Sequence, residues 1–238
     1  VTSAALLAFA RCAGFAFRAP GFSHPSVPPP VRAALAFALA PLLARGVADG
    51  HVPEGAVLPF AVGAETALGV ALGTAASLLY DGAYAGGRLV DDYIGIRAAV
   101  PAAGITPANG FGRLWSLAFT AGFFTLGGYA LALGALADSF ATLPPGAMTG
   151  AHQLRAFAVA LPALLVRAAL FVGGPAFACA FAAQIALAVL ARVVPRLSPF
   201  TLSFGVAFAF ALAATLASLP ALAPAAAHPW LVPFAVGR

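Results

Sequence analysis

The sequence has no lysine: all 12 basic residues are arginine. With so much alanine, glycine and proline, this reads as a GC-rich coding bias, a property of the genome rather than of the protein's work. Charge of either sign is scarce, at 8% of residues, where a soluble domain carries roughly 25%. That scarcity, with 62% hydrophobic residues, excludes a soluble globular domain and places the chain in lipid or in a large apolar assembly. The net charge of +5 comes from arginines dispersed singly, which excludes the basic stripe that nucleic acid requires. Cys12 and Cys179 lie inside apolar runs, with no CxxC pair and no Cys/His cluster. A disulfide framework and a thiolate metal site are thereby excluded, and both thiols read as small buried hydrophobes. No GxxxxGK[ST] loop, HExxH helix or GxSxG elbow occurs, so phosphate-loop, metalloprotease and serine-hydrolase chemistries lack their residues. His24, His51, His152 and His228 are isolated near segment ends and read as solvated or interfacial side chains. No cofactor or metal is expected. No polar linker divides the chain, which reads as one integral-membrane domain over residues 1–238.

What is present is a series of apolar segments. The first covers about residues 2–17, with Arg11 in its middle. It lacks the charged start and small-residue cleavage site of a secretory signal and reads as a retained membrane segment. The second, residues 31–44, is short beside the roughly 20 residues that cross the hydrocarbon. It suits one arm of a helical hairpin buried in protein. Residues 58–80 contain one charge, Glu65, and residues 114–137 contain none. Residues 156–191 exceed one straight span, so a kinked helix or a hairpin turning at Gly173–Pro175 is expected. The last segment starts near Phe200 and fades after Leu219. The fold class is therefore an all-α membrane protein of about six hydrophobic helical segments, some kinked or paired as hairpins. Gly69 and Gly73 are four apart, as are Gly82 and Gly86, a spacing that lets helix backbones approach closely.

Between the third and fourth segments lies the longest polar interruption, Asp81 to Arg113, with Asp81, Arg88, Asp91, Asp92, Arg97 and Arg113. Its second half, Val100 to Gly112, is uncharged, rich in Gly, Pro and Ala, and unable to form a long helix. Irregular backbone of this kind is tolerated at membrane depth only where protein or water covers it. Asp91–Asp92, flanked by Arg88 and Arg97, reads as a locally neutralised surface or inter-subunit patch rather than an acid–base pair. Arg11, Glu65 and Arg167 lie within apolar segments, where a lone charge costs at least about 2.5 kcal/mol. They are expected to pair with one another or with other subunits, or to face water, and Asp138 is grouped with them as an assembly charge. One carboxylate against two guanidiniums points to helix locking. A multi-pass small-solute transporter, with Glu65 and Arg167 handling substrate or protons, is the alternative of another class. An intramembrane enzyme is disfavoured by the missing nucleophile–base pair.

Five motifs in order carry a family resemblance. Arg11, Pro20, Pro30 and Arg32, then Pro41, form the first. ETALGVALG from Glu65 and AGGRLVDDYIG from Ala85 form the second. FFTLGGYALALGALADSFATLP, Phe123 to Pro144, contains Gly127, Gly128, Ser139 and Phe140. ALP at Ala160–Pro162 follows, then ARVVPRLSPFTLSF from Ala191, with Arg192, Pro195 and Phe200 in place and Arg196 where glutamine is usual. The chain thus resembles the FliR/SctT family of the flagellar and virulence type III secretion apparatus along nearly its whole length. The resemblance implies a non-catalytic gate subunit in the bacterial inner membrane, multi-pass, at the core of the secretion basal body. Its implied partners are several copies of SctR/FliP-type and SctS/FliQ-type subunits, an SctU/FlhB-type switch protein and secreted substrate proteins. Together the gate subunits would form a closed helical pore for unfolded protein. Gly127–Gly128, where flagellar members tend to have Gly-His, leans to the virulence branch, with the flagellar paralogue as the alternative. The loop at about Pro101 to Gly112 then resembles the pore plug, with Pro101, Ile105, Pro107, Asn109 and Phe111 as its candidate residues.

Overall fold

A computed structural model describes residues 3–23, 27–43, 55–95, 110–146, 151–193 and 199–227. Among them there is no strand. The helices are α1 (Ser3–Arg18), α2 (Pro29–Leu43), α3 (Leu58–Ile94), α4 (Phe111–Thr125), α5 (Gly128–Thr142), α6 (Ala151–Val193) and α7 (Pro199–Ala227), with a 3-10 turn at Gly55–Val57. Three of them, α3, α6 and α7, are long and apolar enough to cross a membrane, and α4 with α5 makes a fourth span if that pair counts as one. Six hydrophobic segments therefore do not become six spans. The 15 residues of α2 reach only about 22 Å, short of a hydrocarbon core about 30 Å thick.

Three boundaries differ from the sequence expectation. First, α3 does not stop at Tyr80 but continues to Ile94, through the first half of the polar interruption. The polar residues there space out along a helix face: Tyr84, Arg88 and Asp91 lie at intervals of four and three. Second, the segment at 114–137 is two helices broken at Gly127, whose φ of 81° is a left-handed value that glycine adopts without strain. Third, α6 runs unbroken through Pro162 and Gly173–Gly174–Pro175, so no hairpin turns there. A proline inside a helix forfeits one backbone bond. Opening a turn in apolar surroundings would strand many backbone groups, so the helix continues.

The described residues fall into two compact units. The first takes its residues from Val1–Leu78 and Phe123–Ala163. Its core is Ala8, Cys12, Phe15 and Ala19 of the first helix and its end, Ala36 and Ala40 of α2, Leu72 and Ala76 of α3, Phe123 of α4, and Ala132, Leu136 and Phe140 of α5. α1 and α2 pack side by side, with Phe9 edge-on to Phe37 at 6.4 Å.

The second unit takes its residues from Leu79–Gly122 and Leu164–Ala227. Here Gly82 and Gly86 of α3 lie against the backbone of Ala168 and Ala169 of α6. A Cβ on Gly173 would come within 2.9–3.0 Å of the Gly86 backbone. The glycine that suggested a turn instead lies at a close approach of α3 and α6. Aromatic contacts fill in around it: Tyr93 with Phe177 at 4.8 Å, and Phe111 with Phe208 at 5.4 Å.

Candidate functional site

In the first unit Arg11, fully buried on α1, is the centre of a dense set of bonds. Gly69 and Gly73 make this burial possible, because a side chain on either would strike the α1 backbone at Arg11 or Phe15. Gly14 on α1 answers them against the backbone of Thr66 and Val70. With the two backbones in contact, Arg11 is level with Glu65, one turn before Gly69. Its Nε donates to Glu65 Oε2 at 2.6 Å, and the two side chains are 0% and 4% exposed.

The rest of the guanidinium closes the end of α5. Nη1 donates to the Ser139 carbonyl at 2.7 Å and to Ser139 Oγ at 3.3 Å, and Nη2 donates to the Leu143 carbonyl at 2.8 Å. The Ser139 carbonyl already accepts the Leu143 amide at 3.0 Å, so Arg11 adds a second donor there and gives the Leu143 carbonyl a partner. Arg11 also places a cation at the C-terminal end of the helix dipole, where one is favoured. Its Cζ also lies 4.5 Å from the ring centre of Phe140, a cation–π contact inside the core. Glu65 is used up in the same way, since its Oε1 accepts the Gly146 amide at 2.9 Å. Gly146, at φ 84°, ends the LPPG turn after α5. Both charges are thus desolvated but hydrogen-bonded on every nitrogen and oxygen, the condition under which a buried ion pair is tolerated. A second tie joins the same helices, from Arg18 Nε to Thr74 Oγ1 at 3.3 Å.

This node gathers Arg11, Glu65, Ser139 and Phe140 from three motifs more than fifty residues apart. Gly127 and Gly128 make the break that starts α5. Pro20 is buried just after α1, Arg32 is half-buried at the start of α2, and Pro144 is exposed within the turn before Gly146. Two charges expected to share the buried role do not: Asp138 and Arg167 are exposed on α5 and α6. On α5, Ser139 and Phe140 take the positions facing Arg11, which leaves Asp138 on an outer face. Arg192 is exposed in the last turn of α6, as is His152 near its start. Phe200 is in the first turn of α7. Pro195 lies outside the described residues, as do Pro101, Ile105, Pro107, Asn109, His24, His51 and His228. Phe111, the remaining plug candidate, opens α4 and is buried.

Asp91–Asp92 is not one surface patch. Asp92 is exposed, while Asp91 is 3% exposed. The Asp91 carboxylate accepts the Phe111 amide at 2.7 Å and the Gly112 amide at 3.1 Å. It caps α4, whose own N-cap residue, Gly110, has no side chain to do so. Sequence reading misses this because a cap is sought beside its helix, and this one comes from twenty residues upstream. The same holds for Gly146 as a partner of Glu65.

Residues 2–230 match the family model described as bacterial export proteins, family 1. No curated protein matches the chain.

Proposed function

The chain belongs to family 1 of the bacterial export proteins, the FliR/SctT family, and on that premise we propose that it is a non-catalytic subunit of a type III export gate. Membership makes it a membrane-embedded component of a type III or flagellar export apparatus, working with other parts of that apparatus. The finer reading is that it assembles with several copies of SctR/FliP-type and SctS/FliQ-type subunits, beside an SctU/FlhB-type protein, in the bacterial inner membrane. Together they form a closed pore through which unfolded substrate proteins pass. The chain is read as one export-gate domain throughout. Gly127–Gly128 favours the virulence branch.

The observation that carries this reading is the Arg11–Glu65 node. Its residues come from the motifs that define the resemblance, and both charges are paired within the chain. Both Glu65 oxygens and all three Arg11 side-chain nitrogens are bonded within the chain. A proton or solute relay needs an accessible group that can exchange partners, and this pair is buried and held on both sides. A joint that fixes α1, α3 and the end of α5 needs what is there. The exposed charges Asp138 and Arg167 are then assigned to contacts with neighbouring subunits. Pro101 to Gly112, uncharged and rich in small residues, is assigned to occluding the closed pore.

The test separates these roles. Glu65→Arg should abolish the assembled complex, and Arg167→Glu should lose it while leaving this chain folded. A short deletion within 101–112 should leave the complex intact and raise its resting ion conductance. Intact assembly with no added conductance would remove the plug assignment.

A further inference from the structure

The end of α3 and the start of α4 meet at a single residue. The Asp91 carbonyl accepts the Gly95 amide at 3.0 Å, closing α3 with Gly95 in the left-handed region at φ 84°. The Asp91 carboxylate accepts the first two amides of α4. Both ends of the connection 96–109 are therefore fastened to one buried aspartate. The surrounding residues are shaped for it. A Cβ on Gly110 would strike the Asp91 carboxylate, and one on Gly87 would strike Gly112. A Cβ on Gly112 would come within 3.0 Å of the Tyr84 carbonyl and 3.2 Å of Arg88 Cγ. Tyr84, Gly87, Arg88 and Asp91 form one stripe of α3, and the first turn of α4 rests on it backbone to backbone.

We propose that Asp91 is the positioning residue of this connection, a clasp that fixes where it leaves α3 and where it enters α4. Four initial amides of any helix lack partners, and a carboxylate there is favoured both by its hydrogen bonds and by the helix dipole. In α4 that service comes from α3, so the start of α4 is ordered only while the clasp is closed. The role in export rests on the export-gate reading above; the clasp itself does not.

The experiment is hydrogen–deuterium exchange on the full chain purified with the subunits it assembles with, alongside secretion by cells carrying each variant. Asp91→Asn keeps the shape but turns an NH2 group toward one of the two amides. Asp91→Ala removes both acceptors, and Asp91→Glu keeps the carboxylate. Exchange at Phe111 and Gly112 should quicken by about tenfold in Asp91→Asn and Asp91→Ala, the scale of a lost helix cap, and leave the amides around Arg11 and Ser139 unchanged. Secretion should fall in both at unchanged complex yield, and Asp91→Glu should recover most of both signals. Unchanged exchange would overturn the clasp. So would failure of the isosteric Asp91→Asn to accumulate, because a local fastening leaves the rest of the fold standing. Quickened exchange with wild-type secretion would overturn the positioning role and leave the export-gate reading to its own test.

Discussion

Arg11 and Glu65 meet at 2.6 Å where the backbones of α1 and α3 touch, and each completes its bonding on the turn that ends α5. Removing either partner leaves the other charged and buried. Arg11→Ala and Glu65→Ala should each cost about 3–5 kcal/mol and sharply lower the yield of folded protein in mild detergent. Exchanging the two, Arg11→Glu with Glu65→Arg, should not restore it. A glutamate at 11 has no N–H to give the Ser139 and Leu143 carbonyls. Recovery of yield in the exchanged variant would mean that only the ion pair matters.

Glycines should separate by what stands opposite them. Gly69→Ala and Gly73→Ala push α1 off α3 and should lower the thermal midpoint by the equivalent of about 1–3 kcal/mol or more. Gly63 and Gly134 are also within helices but face open space. Alanine there should leave stability unchanged or raise it by up to about 1 kcal/mol, because alanine is the better helix former. Thermal unfolding of the four variants in one detergent checks this.

Much of this was legible in advance. Apolar stretches located the helices, the spacing of Gly69 and Gly73 foretold a close backbone approach, and the cost of lone charges foretold a partner for Arg11. Three kinds of feature were not legible. Polar residues on α3 after Tyr80 looked like a loop because their partner surface, the first turn of α4, is distant in sequence. Gly173–Pro175 looked like a turn because glycine marks both turns and tight helix contacts, and only the facing Gly86 decides between them. Backbone partners such as Gly146 and the Leu143 carbonyl have no side-chain signature at all.

The two thiols should react differently. Cys12 is fully buried beside Arg11, and Cys179 is half-buried on α6. A small maleimide should label Cys179 in the folded protein and reach Cys12 only after denaturation. Glu65→Ala, by loosening α1 from α3, should expose Cys12 to labelling without denaturant. Equal labelling of both thiols in the unaltered protein would contradict the packing of α1.

Trp115 is buried on α4, and its indole N–H has no hydrogen-bond partner among the described residues. Replacing it by phenylalanine sacrifices no bond to a described residue and removes a desolvated donor. Trp115→Phe leaves a smaller cavity than truncation to alanine and should cost clearly less than the about 3–5 kcal/mol of that truncation. A larger loss, measured by thermal unfolding, would show that the N–H is bonded in the assembled protein.

The most direct test of the central claim is native mass spectrometry of the complex formed when this chain is co-expressed with the small membrane proteins of its export apparatus. The account predicts one discrete species with a single copy of this chain and several copies each of two smaller subunits. A stable monomer or homodimer that ignores those partners would contradict it.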